Sequence, residues 1–277
     1  MNLPFIPAAL LPDTAQDPAW WYLFRGHQLL IQPQRPEFPI PAAAEIESLL
    51  FKAQNPLLLG TIGSRPCYTA TLPTSFEPPA PWELKTLREL FTFLPEMQFT
   101  IAGRARQLLT WDLHHRYCGR CASPTRRLPT EHVRVCPSCQ LQCYPRLSPA
   151  VIMSVTRGDE ILLARAGKFP GKMHSVLAGF VEPGETLEEA VAREVMEETA
   201  IRVDNIRYFG SQPWPFPHSL MIAFTCEYQS GTLQIDGDEI VEAEWYGADN
   251  LPGLPNSVSI ARRLIDDFLE NHPDVAP

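Results

Sequence analysis

The chain is short of positive charge. Its 277 residues carry 23 lysines and arginines against 32 aspartates and glutamates, a formal net charge of −9. That balance excludes general electrostatic attachment to nucleic acid by the chain as a whole. Runs of about 18 apolar residues are absent, so no membrane-spanning helix is expected and no membrane partner. The opening stretch, "MNLPFIPAALLPDTAQ", lacks a basic segment followed by a long apolar core, the mark of a secretory signal. Seven cysteines, an odd number, do not suit a disulfide framework and fit a reducing compartment. A cytoplasmic protein is the expectation. Neither an internal repeat nor a low-complexity tract is visible.

Proline is abundant instead: 29 of 277 residues, about twice the usual share of roughly 5%. The prolines are spread along the chain and predict rigid turns rather than a disordered tract. The charge is also unevenly placed. From Leu113 to Ser148 there are six arginines and one acid, Glu131, so this stretch is +5 and the remainder −14.

These features predict three regions. Residues 1–112 read as an α+β domain: "WWYLFRGHQLLIQ" and "PLLLGTIGSRPCYTATL" as strands, "AAAEIESLLF" and "ELKTLRELFTFL" as short helices, and "EMQFTIAGRARQLLTWDLHHRY" as a longer helix. Residues 113–148 are the basic module. Residues 149–277 begin with a strand, turn and strand, "AVIMSVTRGDEILLARA", followed by "SVLAGF", a strong helix and more strands. The terminal "NSVSIARRLIDDFLENH" predicts an amphipathic helix capped by Asn256 or Ser257.

The basic module contains Cys118-x2-Cys121, fourteen residues, then Cys136-x2-Cys139. Two such pairs form two knuckles that close a tetrahedral four-thiolate site, with no open position for water or substrate. One structural Zn²⁺ is expected. Cys143 offers a rival to Cys139, and the shared x2 spacing favours Cys139. Cys67 and Cys226 read as buried thiols. The arginines of the module either contact phosphates or form a solvated face.

Seven glutamates crowd between Glu182 and Glu198, opposed by Arg193 alone. Thr186 and Glu189 form a capping box that starts the helix. At about 100° per residue, with Leu187 at zero, Val191 and Val195 make an apolar stripe. Glu194 and Glu198 fall within about 20° of Leu187, on the buried side, whereas Glu188 and Glu189 point outward. Two partly buried like charges one turn apart are costly unless a cation neutralises them. Hard oxygen donors at this spacing suit Mg²⁺ or Mn²⁺. Arg193 and Glu197 form an i,i+4 pair that orients the helix or directs Glu197 toward water.

This segment resembles the Nudix box: Gly179, five residues, Glu185, seven residues, Arg193-Glu194-Val195, one residue, Glu197-Glu198. The box then expects glycine and an aliphatic residue; this chain has Ala200-Ile201, which touches the helix end and no metal ligand. Further on, "SQPWPFPHS" (211–219) resembles the signature of the NAD(H) pyrophosphatase and NAD-decapping subfamily, which also carries a four-cysteine zinc ribbon and an extra N-terminal domain. The resemblance implies a Nudix α/β/α sandwich with a mixed sheet, and metal-dependent hydrolysis of NAD(H) to nicotinamide mononucleotide and AMP. It also implies removal of NAD caps from RNA 5′ ends, and a homodimer.

Carried over by residue, the resemblance implies a catalytic set of Glu185, Arg193, Glu194, Glu197 and Glu198. The catalytic metal would be held by Glu194, Glu198, Glu239 and the Ala178 carbonyl. Substrate contacts would come from Glu131, Tyr144, Phe180, Gln212, Pro213, Trp214, Pro215, Phe216, Pro217, His218, Ser219 and Ala261. The subfamily has glutamine where this chain has His218. Plainer roles stay open for several of these: core aromatics for Trp214 and Phe216, a turn for Tyr144, a solvated charge for Glu131. Hydrolysis of another dinucleotide or of ADP-ribose is the alternative activity, and a non-catalytic NAD- or RNA-binding protein the alternative class.

Overall fold

The computed structural model describes residues 4–12, 18–167, 171–235, 237 and 239–272. The chain divides into two compact units, Met1–Arg146 and Leu147–Pro277. Among the described residues no helix is long and apolar enough to cross a membrane.

The first unit contains β1 (Phe5–Pro7), β2 (Trp20–Arg25), β3 (Gln28–Ile31), α1 (Glu47–Leu50), β4 (Gln54–Ile62), β5 (Arg65–Thr71), β6 (Glu83–Thr86), α2 (Glu96–His114), β7 (Arg126–Arg127), β8 (Arg134–Val135) and β9 (Gln142–Cys143). The second contains β10 (Ser148–Arg157), β11 (Glu160–Ala166), β12 (Leu177–Phe180), α3 (Leu187–Thr199), β13 (Ile201–Trp214), β14 (Ser219–Gly231), β15 (Ile240–Gly247) and α4 (Ile260–Asn271).

In the second unit the sheet runs β13-β14-β10-β11-β15, with β12 pairing the first half of β10. The contacts alternate with residue parity. Val151, Met153, Val155, Leu162 and Ala164 join a core with Val191 and Val195 of α3. Ile152, Ile161 and Leu163 join a second core with Leu264, Ile265 and Phe268 of α4. The middle strands are thus buried on both faces, which explains why they read as near-continuous apolar runs. The result is the expected α/β/α sandwich around a mixed sheet.

The first unit repeats this topology. Its sheet runs β1-β4-β5-β2-β3-β6. From β4 to β6 the neighbours are antiparallel, parallel, antiparallel and antiparallel. The run from β13 to β15 follows the same order. Chain order matches too, each sheet being followed by a helix, α2 or α4. The four-residue α1 stands where the thirteen-residue α3 stands. No repeat is legible in the sequence because the two halves share strand directions rather than side chains.

Two sequence expectations are corrected. "ELKTLRELFTFL" does not form a helix: Glu83–Thr86 is β6, paired with β3 so that Leu84 lies opposite Leu30, and turns follow. Pairing at the open edge of β3 satisfies more backbone groups than an isolated short helix, so tertiary context overrides propensity. The cap of α4 is Ser259, whose hydroxyl accepts from Arg262 N. Asn256 supports the cap instead, its side chain accepting from Val258 N and its carbonyl from Ser259.

Two of the six arginines of the basic module are engaged by a buried carboxylate. Arg127 grips Asp112 at the end of α2 through Nε and Nη2, and Arg134 adds Nη1 to the same carboxylate. Asp112 is 2% exposed. Burial alone would raise its pKa, and the two guanidiniums more than offset this, holding it below the usual carboxylate range. Arg127 also donates to Pro56 O, and Arg134 to Thr125. This cluster ties α2, β4 and the small sheet β7-β8-β9 together. Asp112→Asn is expected to cost about 3 kcal/mol at pH 7, because it leaves the buried Arg134 guanidinium without its counter-charge. A carboxylate with a lowered folded pKa stabilises above its unfolded value and loses that contribution as pH falls. The gap between mutant and wild type should therefore narrow from about pH 4 downward. Urea titrations at pH 7 and pH 3 check this; an equal gap at both would count against the cluster.

Candidate active site and metal centre

The helix α3 carries the acidic constellation. Thr186 caps it, accepting from Glu189 N, and the Glu189 carboxylate answers on Thr186 N, as the sequence predicts. It ends at Ala200 in the left-handed region, φ 58°. Alanine therefore takes the glycine conformation, at a cost of about 1 kcal/mol.

Arg193 organises the charges around it. Its guanidinium binds both oxygens of Glu185, Glu194 Oε1 at 2.9 Å and Glu197 Oε2 at 2.9 Å, and donates to the Phe180 carbonyl at 2.9 Å. Sequence spacing exposes one of these contacts, that with Glu197. The bidentate Arg193 contact is the main reason the Glu185 carboxyl is pulled down to about 2, with help from Glu182 N–H. The same contacts raise Arg193.

Glu198 is 8% exposed and Glu194 is partly buried, so the two carboxylates lie on the inner side of α3, one turn apart. Burial raises the Glu194 pKa, Arg193 opposes this, and the charges of Glu197 and Glu239 add to the rise. That influence puts Glu239 within electrostatic reach of Glu194. Glu239 itself is exposed, immediately before β15. The donors are hard oxygens in a poorly solvated place, a set that fits a small divalent cation. Among the described residues, three or more metal-ligating side chains converge at ligand spacing only in the cysteine cluster; Glu194, Glu198 and Glu239 are not gathered that closely.

Gly179 has a steric reason the sequence pattern does not disclose. A Cβ built there would lie 1.8 Å from Cδ of Glu194 and about as close to both its oxygens. The missing side chain is the seat of the Glu194 carboxylate. Ala178 and Phe180 flank it on β12, and the Phe180 ring is 58% exposed.

The stretch "SQPWPFPHS" is a hairpin between β13 and β14, with Trp214 opposite Ser219. β13 is an edge strand, where proline is tolerated. Trp214 and Phe216 pack edge to face, 5.1 Å between centroids, over a buried Pro215. Pro213 pairs with Leu220, and Pro217 is exposed. His218 is fixed to Ser148 at two points: its carbonyl accepts from Ser148 N, and Nδ1 lies 3.1 Å from Ser148 Oγ. Sequence reasoning misses Ser148, since a serine before a strand carries no signal of its own. Gln212 bonds the backbone at Val258 and Ile260, and the Ala261 side chain belongs to the α4 core. Glu131 and Tyr144 lie in the first unit. Both are exposed, and the Tyr144 hydroxyl donates to Gln142.

The four sulfurs of Cys118, Cys121, Cys136 and Cys139 converge within 4.8 Å, and Cys143 is outside the set. Neighbouring Sγ atoms lie 3.4–3.6 Å apart, close to the roughly 3.8 Å edge of a tetrahedron with 2.3 Å Zn–S bonds. Both knuckles are built alike. The residue after each second cysteine, Ala122 or Gln140, is left-handed, and its N–H returns to the carbonyl of the first cysteine. Ser123 hydrogen bonds draw the Cys121 thiol down to about 6, while at Cys139 a backbone N–H is outweighed by burial and the neighbouring sulfurs, which push the thiol up to about 12, so four thiols this close need a cation to ionise together. Cys143 has another use, its carbonyl accepting from Trp111 Nε1.

Cys118→Ser is expected to lose the metal together with ribbon folding, read by metal analysis and near-ultraviolet circular dichroism; a folded, metal-replete variant would contradict a structural role. Gly179→Ala is expected to displace the Glu194 carboxylate and weaken binding of a divalent probe such as Mn²⁺ in the second unit by about ten- to a hundredfold, the usual loss when the support of a metal ligand is disturbed. Titration of Mn²⁺ by electron paramagnetic resonance measures it, and unchanged affinity would remove Glu194 from the metal site.

Comparison with known proteins covers nearly the whole chain. Family models match at residues 18–111 (NADH pyrophosphatase-like rudimentary NUDIX domain), 113–144 (NADH pyrophosphatase zinc ribbon domain) and 146–268 (NUDIX domain). The rudimentary first match agrees with the repeated topology and its shortened α1. A protein of Stutzerimonas stutzeri named NAD-capped RNA hydrolase NudC is 41% identical over 97% of this chain and 95% of its own length. Its namesake in Chromobacterium violaceum is 41% identical over 95% and 94%. That of Deinococcus radiodurans is 44% identical over 78% of each chain. A zinc ribbon between a degenerate and an intact copy of one fold, with likeness running almost end to end, makes this chain a member of the NudC group of the Nudix family.

Proposed function

We propose that the chain hydrolyses the pyrophosphate bond of NAD(H), giving nicotinamide mononucleotide and AMP, and removes NAD caps from RNA 5′ ends. The observation that carries this reading is the carboxylate pair on α3: Glu198 almost fully buried, one turn from Glu194, whose carboxyl burial pushes up. The relatives' activity, as named, supplies the substrate class.

In this reading Glu194, Glu198, Glu239 and the Ala178 carbonyl hold Mg²⁺ or Mn²⁺. When bound, the divalent ion supplies charge stabilisation at the diphosphate and lowers the pKa of water. The protein's own part is orientation. Arg193 locks Glu185, Glu194 and Glu197 in one network of contacts and pins the strand that carries Phe180. Glu197, exposed and held by Arg193 through Oε2, has its other oxygen available to take the proton of the attacking water. That water's oxygen joins one phosphorus as the bridging P–O bond breaks, and the other phosphate leaves with the bridging oxygen. Phe180, Trp214 and Phe216 offer apolar faces to the bases, and residues 217–219 line the same hairpin. Glu131 and Tyr144, in the first unit, are the remaining substrate contacts this reading expects.

Residues 1–112, 113–148 and 149–277 act as three domains, with one Zn²⁺ per chain holding the ribbon. A cytoplasmic homodimer is the assembly this reading expects. Glu198→Gln removes one charge from the metal site and keeps its shape. Turnover of NADH with Mn²⁺ is expected to fall by at least about a hundredfold, most of the loss being in kcat. The assay follows nicotinamide mononucleotide release, with ADP-ribose and NAD-capped RNA run in parallel. Wild-type turnover in the variant would refute the metal site, and equal rates on ADP-ribose would refute the NAD(H) preference.

A further inference from the structure

The side chain of Gln212 stands at the end of edge strand β13, one residue before the aromatic hairpin. Both ends of its amide are engaged by backbone. Nε2 donates to Val258 O at 2.9 Å, and Oε1 accepts from Ile260 N at 2.8 Å. Ile260 is the first residue of α4, and its N–H is one of the donors a helix start leaves without a partner inside the helix. Ser259 fills the complementary position, accepting from Arg262 N. The helix start is therefore capped twice: once from within by Ser259, and once across the fold by Gln212.

The loop before α4 is held in the same way. Asn256 Oδ1 accepts from Val258 N, and Asn256 O accepts from both Ser259 N and its hydroxyl. Once Gln212 has bound on both sides of Ser259, residues 256–261 and the hairpin 213–219 are one connected surface. The far end of that hairpin is tied to β10 through Ser148 and His218. A proline-stiffened hairpin fixed at both ends loses little freedom on binding a ligand.

We infer that Gln212 is a positioning residue: it acts on substrate binding by holding the N-terminal end of α4 against the aromatic hairpin, and not by touching the substrate. This rests on the NAD(H) reading given above. It differs from direct recognition, which the side chain's place beside Trp214 would otherwise suggest, because the amide is already committed to two backbone partners.

The two modes of action give opposite signs for one substitution. Gln212→Leu removes both bonds and is expected to raise KM for NADH about tenfold with kcat within about threefold, two hydrogen bonds being ample for a change of that size. Gln212→Glu keeps an acceptor for Ile260 N–H and places negative charge at a helix start, where it is favoured. Its second oxygen has no hydrogen to give Val258 O, so the variant should recover only part of the leucine variant's loss and leave KM clearly between leucine and wild type. If Gln212 touched the anionic diphosphate directly, the glutamate would repel it and be as harmful as leucine or worse; that result overturns the inference. Ser259→Ala loosens the same helix end, so its effect on KM should not multiply with that of Gln212→Leu, whereas fully multiplicative effects would also overturn it.

Hydrogen–deuterium exchange of the peptide spanning 258–262 decides the clamp without reference to turnover. Exchange should quicken in Gln212→Leu and less so in Gln212→Glu, which keeps one of the two bonds, and an unchanged rate in the leucine variant refutes the clamp. If the leucine variant does not fold, the Gln212→Glu and Ser259→Ala pair carries the same cycle. A wild-type protein that leaves NADH intact would sink the proposed activity, while the exchange measurement would still stand on its own.

Discussion

One guanidinium sets the geometry on which the acidic helix depends. Arg193 binds three carboxylates and a strand carbonyl at once. Without it, Glu185, Glu194 and Glu197 would repel one another across a few ångströms, and the loop before α3 would have no fixed distance from β12. With it, the charges become a framework: Glu185 closes the loop onto the helix, Glu194 is drawn over Gly179, and Glu197 is kept at the edge. Arginine suits this because its donors lie in a fixed plane and its charge is permanent. The space for Glu194 is then supplied by subtraction, since any side chain at 179 would occupy it. Helix, loop and strand are thus held by charge on one side and by absence of volume on the other.

The duplicated topology shows how local this framework is. The first unit has the strand order and directions of the second, and even a bridge between Trp20 and Ala42 just ahead of α1, where the second unit has β12 ahead of α3. Yet α1 is a single turn, with one acid in it. A sheet followed by one packed helix survives the loss of the acidic helix, because the strands supply their own hydrogen bonds and core. What is lost is the site. In the first unit charge serves cohesion instead. The Asp112 cluster buries it to join α2, β4 and the ribbon.

The parts legible in the sequence are those whose signal is local. The capping box of Thr186 and Glu189, the angular placement of Glu194 and Glu198, and the two cysteine knuckles all follow from spacing within about twenty residues. What stays hidden needs contacts between distant segments. Gly179 reads as a pattern element, but its neighbour Glu194 lies across a strand–helix packing. Arg127 and Arg134 read as surface charge because Asp112 lies outside the basic stretch. Residues 83–86 read as helix because propensity knows nothing of the open edge of β3. Asn256 and Ser257 compete with Ser259 as caps because all three residue types suit that position. Ser259 is the cap that forms, and the N–H of the residue after it is met by Gln212, from a strand far back in the chain.

That last dependence changes what the proline-rich hairpin means. Its prolines and aromatics suggest a surface built for a ligand, complete in itself. The structure divides the labour. Trp214, Phe216 and the prolines shape the wall, while the polar residues at its two ends are turned to protein: Gln212 to the start of α4, His218 to Ser148. The β13–β14 ladder already carries the base of this wall, and the polar ends add ties to other elements: backbone groups at the start of α4 on one side and the strand-opening Ser148 on the other. Glutamine at 212 is long enough to span from β13 to α4 and carries one donor and one acceptor in the order those backbone groups require. The same requirement does not hold at 218, where either a histidine nitrogen or an amide can meet a serine hydroxyl, so the chain can depart from the subfamily pattern there without releasing the hairpin.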